Sequence, residues 1–238
     1  MCTVTFIPTV DNQFIFTSNR DEAPNRSAST LVRANKYGKT LLFPQDTGAH
    51  GSWIVISDSD QLVCILNGAF ERHDRQPPYR LSRGIMAMEF FEYDDVEHFL
   101  KLYKFENIEP FTMIIYDRGR LHEVRWDYSQ YHHSEYATDQ MKLWASATLY
   151  DDVLQEKRQQ WFKDWRSNTV EVNQHSILDF HRHGGEGNPL SDVVMNYHEI
   201  VKTTSITSIL HTDKEMSMRF ENLEIIQVSN DTMPLTTP

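Results

Sequence analysis

Hydrophobic and polar residues alternate along several short segments of the chain, with the two-residue period of strands that bury one face. The first such segment is CTVTFI at 2–7, which begins with Cys2 directly after the initiator methionine. The turn residues PTVDNQ separate it from FIFTSN at 14–19, a second segment of strand character. Together the two segments predict a β-hairpin at the N-terminus.

The register of this hairpin brings Cys2 close to an unusual polar tetrapeptide. A short turn between the two strands pairs residues whose numbers sum to about 21–23, depending on the turn type. This sum places Cys2 opposite Asn19, Arg20 or Asp21. The tetrapeptide NRDE at 19–22 is therefore expected to fold back onto the start of the chain.

The rest of the pattern predicts antiparallel hairpins with helical blocks between them. Strands are predicted in hairpins at 52–57 with 61–67 and at 111–116 with 121–126, and singly at 143–150, 201–210, 216–222 and 223–229. Helices are predicted at 79–93, at 94–105 with Asp94 as N-cap, and at 152–167, and a glycine-rich loop at 183–189. This order of elements indicates a layered α+β fold of two sheets with flanking helices.

Composition narrows the class of protein. A chain of 238 residues without a linker or repeat is expected to form one domain, residues 1–238. The net charge of −11 makes nucleic acid and anionic membrane surfaces poor partners. No apolar run is long enough to span a membrane and no signal peptide is evident, so we expect a soluble, cytoplasmic protein. The sequence does not predict an oligomeric state.

Cys2 carries the most specific chemistry in the sequence. Removal of Met1 would leave a thiol, with an ordinary pKa near ~8.5, and a free α-amine, with a pKa near ~8, on one residue. Such an amine can serve as the base for its own thiol, as in N-terminal nucleophiles. Arg20 would stabilise a thiolate, and Asp21 would orient the ammonium group. The alternative is that Cys2 is only a small residue of the core.

The segments MCTVTF, SNRDE, GSW, LVCILNGAF and SRG resemble the NRDE family, the transport-and-Golgi-organisation protein 2 group. The resemblance implies a four-layer αββα fold and membership of the N-terminal-nucleophile hydrolases, in which penicillin V acylase and bile salt hydrolase have a similar cysteine start. It implies Cys2 as the nucleophile and Asp21 as its partner. Those acylases have an arginine where this chain has Ser18, and Arg20 is here the nearby cation.

Further site residues follow from the same resemblance. Asn67 ends a segment similar to the strand that delivers an oxyanion-hole asparagine, although Asn-Gly is also a turn signal. The acylases have a second asparagine where this chain has Ser146, Ala147 and Thr148. Ser146 or Thr148 could donate a hydrogen bond, but weakly and with a different reach, so either a second donor comes from elsewhere or activity is reduced. Arg219 resembles a late arginine of the acylases, or it is a solvated charge on a strand. The candidate substrate-binding residues are Asn19, Ser146, Thr148 and Arg219.

The histidines do not indicate a metal site. His181 and His183 lie two residues apart with Glu186 nearby, and on a strand they would share a face. No HExxH or CxxC motif accompanies them, and the pair at 132–133 is predicted to lie in a polar loop. GGEG does not match the GxGxxG nucleotide fingerprint. We therefore expect no metal and no cofactor.

Two functions of different classes remain open. The first is a cysteine amidohydrolase that acts on a small acyl-amide or related acyl compound, with the C–N bond as the bond cleaved. The second is a non-catalytic carrier of a hydrophobic ligand, of lipid or haem type, on the same fold. The hydrolase requires a free α-amine on Cys2 and the carrier does not. The hydrolase also requires that Cys2, rather than Cys64 in its apolar strand, is the reactive thiol.

Overall fold

Two antiparallel β-sheets lie face to face in the structure, a computed structural model that describes residues 2–11, 13–148 and 151–236. Within these residues each sheet has seven strands. The first sheet consists of β1 (Cys2–Pro8), β2 (Phe14–Glu22), β10 (Lys142–Ala145), β11 (Asn196–Tyr197), β12 (Val201–His211), β13 (Glu215–Asn222) and β14 (Gln227–Pro234). Its order is β10-β1-β2-β12-β13-β14, and β11 also pairs with β12.

The second sheet is a simple meander in sequence order, so each strand pairs with the strand that follows it. It consists of β3 (Leu31–Lys36), β4 (Lys39–Pro44), β5 (Ile54–Ser57), β6 (Gln61–Asn67), β7 (Phe111–Asp117), β8 (Arg120–Trp126) and β9 (Tyr131–Tyr136). Its central strands are hydrophobic on both faces because one face meets the first sheet and the other meets helices.

Four α-helices form the outer layers within the described residues: α1 (Arg83–Glu89), α2 (Val96–Leu102), α3 (Asp152–Asn168) and α4 (Gln174–His183). The first two pack on the second sheet, through a cluster that includes Phe90 and Phe99. The last two pack on the first sheet, through Phe162 and Phe180. A third cluster fills the space between the sheets. The layers are therefore helix, sheet, sheet, helix, which confirms the predicted αββα sandwich.

The N-terminal hairpin has the predicted register. Cys2 pairs with Arg20 across the hairpin, within the range that the turn length allows. Alternation along β1 sends Cys2, Val4 and Phe6 into the space between the sheets. The opposite face, which includes Ile7, packs against the layer of α3 and α4. Because β1 lies between β10 and β2, Cys2 is held in an interior strand rather than at a frayed end.

The helices on the second sheet are shorter than the hydrophobic pattern predicts. The helix expected at 79–93 is α1 followed by a 3₁₀ turn, Phe90–Glu92. The next helix begins at Val96, and its N-cap is Asp95 rather than the predicted Asp94. The Asp95 carboxylate accepts the N–H of His98 at 2.7 Å. Two adjacent aspartates offer the same cap, and the helix begins after the second.

Three other predictions are corrected. The strand expected at 223–229 is wrong in its first half, because Asn222 Oδ1 accepts two following backbone N–H groups and forms a turn before β14. The histidines at 132–133 lie in β9 rather than in a loop. The strand expected at 143–150 ends at Ala145, and its last two residues lie outside the described part of the chain.

One helix was not predicted at all. Residues 174–183, QHSILDFHRH, form α4 behind a capping box in which the side chains of Asn173 and Ser176 each accept the other residue's backbone N–H. The segment is polar, so its hydrophobic stripe is short. No helix in the described residues combines the length and the apolar character needed to cross a bilayer.

Candidate active site

A cavity of about 400 Å³ opens at the end of the sandwich where β1 begins and β2 ends. Cys2 and Arg20 contribute to it from the first sheet, since paired residues share a face. The second sheet and the segment before α1 form the other walls. The lining residues that carry chemistry are Cys2, Arg20, Glu22, Arg26, Asp46, Trp53, Asn67, Arg75, Tyr79, Arg83 and Glu109.

The Cys2 thiol is enclosed, with 2% of the residue exposed. It donates to the carbonyl oxygen of Ile65 at 3.8 Å. Burial raises its pKa, the charge of Asp21 raises it further, and Arg20 lowers it without offsetting the burial. Burial raises the pKa of the Cys64 thiol well above its ordinary value. Both resting thiols are therefore neutral near pH 7, and Cys2 needs a base to react.

Arg20 is the buried cation of the cavity, and 4% of the residue is exposed. Its guanidinium donates to the Asp46 carboxylate and to the carbonyl oxygen of Arg26. The face of the guanidinium lies 4.2 Å from the centroid of the Trp53 ring. Glu22 follows two residues later on the same face and pairs with Arg26 at 2.9 Å. The cavity floor is thus a closed set of ion pairs beside the thiol.

Asp21 and Asn19 point to the opposite face of the sheet, as the alternation of β2 requires. Asp21 accepts the hydroxyl of Thr203 at 2.6 Å and does not line the cavity, although its charge reaches the Cys2 thiol. The Asn19 amide donates to the carbonyl oxygens of His181 and Val193, both at 2.9 Å. The structure therefore brings Arg20, but not Asn19, to the cavity.

Asn67 lies at the end of β6 and lines the cavity with Cys2. Ser146 joins the two residues: its N–H donates to the Cys2 carbonyl oxygen at 3.0 Å, and its hydroxyl donates to the Asn67 carbonyl oxygen at 2.7 Å. Thr148 Oγ1 is 3.3 Å from the Ser146 hydroxyl. Gly68 has a φ of +82°, and a Cβ there would lie 2.7 Å from the Thr148 methyl. The hydrogen bonds of the Ser146 hydroxyl therefore hold Asn67 in position.

Arg219 is not brought to the cavity. It lies on β13 with its side chain on the face opposite to Met218 and Phe220, which pack between the sheets. Its Nε donates to Glu221 at 2.7 Å, and Arg182 of α4 pairs with the same carboxylate at 2.6 Å. This arrangement is an ion-pair cluster on the helical side of the first sheet.

Sequence reasoning missed the loop that faces Arg20. Asp46 and Trp53 come from the segment between β4 and β5, and Trp53 belongs to the GSW motif. The sequence feature that pointed to this loop was Gly51, the glycine of the same GSW motif. It packs so closely that a Cβ there would lie 2.5 Å from the carbonyl carbon of Gly84. The GSW and SRG motifs therefore meet backbone to backbone, and their contact sets the wall of the cavity.

The other missed group is an ion cluster at the cavity mouth. The Glu109 carboxylate lies 3.2 Å from Arg83, 3.3 Å from Arg75 and 3.4 Å from His73. Arg83 also donates to the carbonyl oxygen of Pro110 at 2.9 Å, which fixes the start of α1 over the second sheet. These contacts hold the segment before α1 in place as the outer wall.

The histidines singled out by spacing lie on α4 rather than on a strand. His181 is buried and its two ring nitrogens contact Thr5 Oγ1 at 2.8 Å and Asn19 Oδ1 at 2.5 Å. Burial, with the nearby Arg158, lowers the pKa of His181 to about 3. Among the described residues, no group of three or more His, Cys, Asp or Glu side chains is placed to hold a metal ion.

The order of the layers is that of the N-terminal-nucleophile hydrolase fold. The chain belongs to the Transport and Golgi organisation 2 family, whose sequence model matches residues 1–221. No curated protein matches the sequence significantly.

Solved structures agree with the fold. Two variants of the conjugated bile acid hydrolase of Clostridium perfringens superpose with TM-scores of 0.54 and 0.55 at 9% and 10% identity. The alignments cover 98% and 100% of this chain, and 92% and 97% of the hydrolase chains. The Caenorhabditis elegans orthologue of N-acylethanolamine-hydrolyzing acid amidase superposes with a TM-score of 0.54 at 12% identity, over 87% of this chain and 92% of its own.

Proposed function

We propose that the protein is a cysteine amidohydrolase that cleaves the C–N bond of a small acyl-amide or a related acyl compound. The observation that carries the proposal is the position of Cys2: an interior strand holds its sulfur at the inner end of a cavity whose lining also includes Arg20 and Asn67. The structural neighbours support the class of reaction, since one is named a conjugated bile acid hydrolase and another an N-acylethanolamine-hydrolyzing acid amidase. One of them is a variant that replaces a cysteine at its own second position with alanine.

In the proposed reaction the α-amine of Cys2, freed by removal of Met1, takes the thiol proton as the sulfur attacks the acyl carbon. The Asn67 amide and a backbone N–H stabilise the oxyanion that forms. The ammonium group then returns the proton to the leaving amine, and a thioester remains on Cys2. Water attacks the thioester, the α-amine takes a proton from it, and the acid leaves as the thiol is restored.

The environment of the thiol supports a mechanism that includes its own base. Burial and Asp21 raise the pKa of Cys2, so a free thiolate is scarce at neutral pH. A base within the same residue removes this obstacle at the moment of attack. Asp21 is proposed to hold the ammonium group from the other face of the sheet, with its carboxylate anchored by Thr203.

The carrier of a hydrophobic ligand remains the second candidate, and the lining argues against it. Seven of the lining residues are charged, namely Arg20, Glu22, Arg26, Asp46, Arg75, Arg83 and Glu109. Burying an acyl chain or the apolar ring of a haem against ion pairs would cost their solvation without new hydrogen bonds. A small amide with polar groups fits this lining better.

The experiment uses the purified full chain. Intact mass first establishes whether Met1 is absent, and a panel of N-acyl amides of increasing acyl length is then tested for acid release. We expect Cys2→Ser to lose hydrolysis by about 10³-fold or more, because it removes the nucleophile. The matched control Cys64→Ala should hydrolyse within about threefold of the parent per folded molecule. Hydrolysis that survives Cys2→Ser, or binding of the amides without turnover by processed protein, would contradict the proposal.

A further inference from the structure

The loop between β4 and β5 presents one carboxylate to the cavity in a fixed position. Asp46 is buried, and its Oδ1 accepts the N–H groups of Gly48 and Ala49, both at 2.8 Å. Its own N–H donates to the carbonyl oxygen of Gly51 at 2.9 Å. The carboxylate is therefore anchored by its own loop, and Oδ2 is left for the cations of the cavity.

Arg20 is held by contacts in three directions, and Asp46 is the nearer of its two carboxylate partners, since Glu22 lies 3.8 Å from the guanidinium. One guanidinium nitrogen donates to Asp46 Oδ2 and another to the carbonyl oxygen of Arg26. The Trp53 ring covers one face of the guanidinium at 4.2 Å. An arginine side chain has many rotamers, so a buried position beside another residue has to be maintained by such contacts.

We propose that Asp46 is a positioning residue of the candidate site: it holds the Arg20 guanidinium against Trp53, on the same sheet face as Cys2, where the cation stabilises the developing thiolate. The proposal rests on the proposed function only in taking Cys2 as the reacting thiol. Asp46 acts through Arg20 and does not touch a substrate.

The direction in which the Cys2 pKa moves separates the positioning role of Asp46 from a direct effect of its charge on the thiol. The charged groups that act on the Cys2 thiol are the amino terminus of the chain and, from the neighbouring strand, Arg20, Asp21 and Glu22. The Cys2 thiol in turn acts on Cys64 of the opposite sheet. A negative charge on Asp46 that acted directly would disfavour the thiolate, so its removal would make Cys2 more reactive. Loss of the Arg20 position has the opposite effect and makes Cys2 less reactive.

The test measures the rate at which iodoacetamide alkylates Cys2 as a function of pH, with Cys2 and Cys64 peptides separated by mass. We expect Asp46→Asn to move the midpoint of the Cys2 profile to higher pH and to slow alkylation at pH 7 by about threefold to tenfold. Arg20→Gln should move the profile in the same direction. Alkylation needs no substrate, so the result stands whether or not the protein hydrolyses amides.

Two further variants complete the test. The double variant Arg20→Gln with Asp46→Asn removes both charges and should give the same profile as Arg20→Gln alone, because Asp46 acts only through Arg20. This comparison also serves if the single variant Asp46→Asn does not fold. The control Asp231→Asn breaks an exposed pair with Arg33, 2.7 Å apart, and should leave the profile unchanged. An unmoved or lowered midpoint in Asp46→Asn, or a double variant that differs from Arg20→Gln, would overturn the proposal.

Discussion

The four residues 19–22 of β2 are divided between its two faces, and the two pairs have different surroundings. Asn19 and Asp21 face the helical layer, where protein atoms accept or donate their hydrogen bonds. Arg20 and Glu22 face a cavity, where they are held by ion pairs with room for another molecule beside them. The period of a strand alone produces this division. The cavity face of the tetrapeptide therefore equips the candidate site, and the opposite face builds the fold. Asp21 lies on this opposite face, and from there it is also proposed to hold the Cys2 ammonium group.

This difference between the two faces predicts whether a residue mainly controls the free energy of unfolding or the chemistry of the site. Removing a group from the closed face leaves buried partners without hydrogen bonds, so the free energy of unfolding falls. Removing a group from the cavity face leaves space that water can enter, so chemistry is affected more than stability. The predictions below test this division.

The largest effect is expected on the cavity side. Asn67→Ala removes the proposed oxyanion donor and should lower kcat by about 10²- to 10³-fold with a smaller change in KM. The control Asn230→Ala, at an exposed position of β14, should leave kcat within about twofold. Steady-state kinetics on the best amide of the panel checks both. An equal kcat for Asn67→Ala and the parent would leave Asn67 as a turn residue only.

The next effect falls on the closed face. Asn19→Ala leaves the carbonyl oxygens of His181 and Val193 without their donor, and should lower the free energy of unfolding by about 2–4 kcal/mol. Hydrolysis per folded molecule should change by less than about threefold. Denaturant unfolding and kinetics measure the two quantities. A large loss of activity at unchanged stability would instead support the sequence-based assignment of Asn19 to substrate binding.

A pH dependence is expected from the same network. Burial lowers the pKa of His181 to about 3, whereas an unfolded histidine has a pKa near ~6.5. Between these values the unfolded chain binds a proton that the folded chain does not, so stability falls as the pH decreases from ~6.5 towards 3, by at most about 1.4 kcal/mol per pH unit. His181→Gln removes this contribution, so the difference in unfolding free energy between parent and variant should shrink as the pH falls from 7.5 to 5. A difference in unfolding free energy that stays constant between pH 7.5 and 5 would contradict the lowered pKa of His181 in the folded protein.

The smallest effect is expected at Arg219. Its side chain pairs with Glu221 on the helical side of the first sheet, and Arg182 pairs with the same carboxylate. Arg219→Gln should change stability by less than about 0.5 kcal/mol and hydrolysis by less than about twofold. A strong loss of hydrolysis would show that the sheet face does not separate the two groups of residues as described.

Much of this division could be read from the sequence, because it follows from local rules. The alternation of CTVTFI and the length of the first turn place Cys2 opposite Asn19, Arg20 or Asp21, and in the structure its partner is Arg20. The alternation also implies that Asp21 and Arg20 face opposite sides of the sheet. Which of the two sides lines the cavity became known only from the structure. The α4 helix was missed because its polar sequence becomes half-buried only when it packs on β2.

The cavity residues outside the hairpin were harder to predict because they meet across long separations. Asp46 lies 26 positions from Arg20, and no periodic pattern links a loop to a strand of the other sheet. Glu109 pairs with Arg75 from a segment without regular structure and with Arg83 from the start of α1. Asn67 was found only through the resemblance to acylases, since Asn-Gly alone indicates a turn.

Covalent trapping measures directly whether Cys2 is the nucleophile of this cavity. The processed full chain is treated with an acylating β-lactone at substoichiometric amounts, digested, and the acylated peptide identified by mass. If Cys2 is the nucleophile, one acyl group is found on the Cys2 peptide, none on the Cys64 peptide, and no label on the Cys2→Ser variant. Acylation of Cys64 at a comparable rate, or labelling that survives in Cys2→Ser, would contradict this role of Cys2.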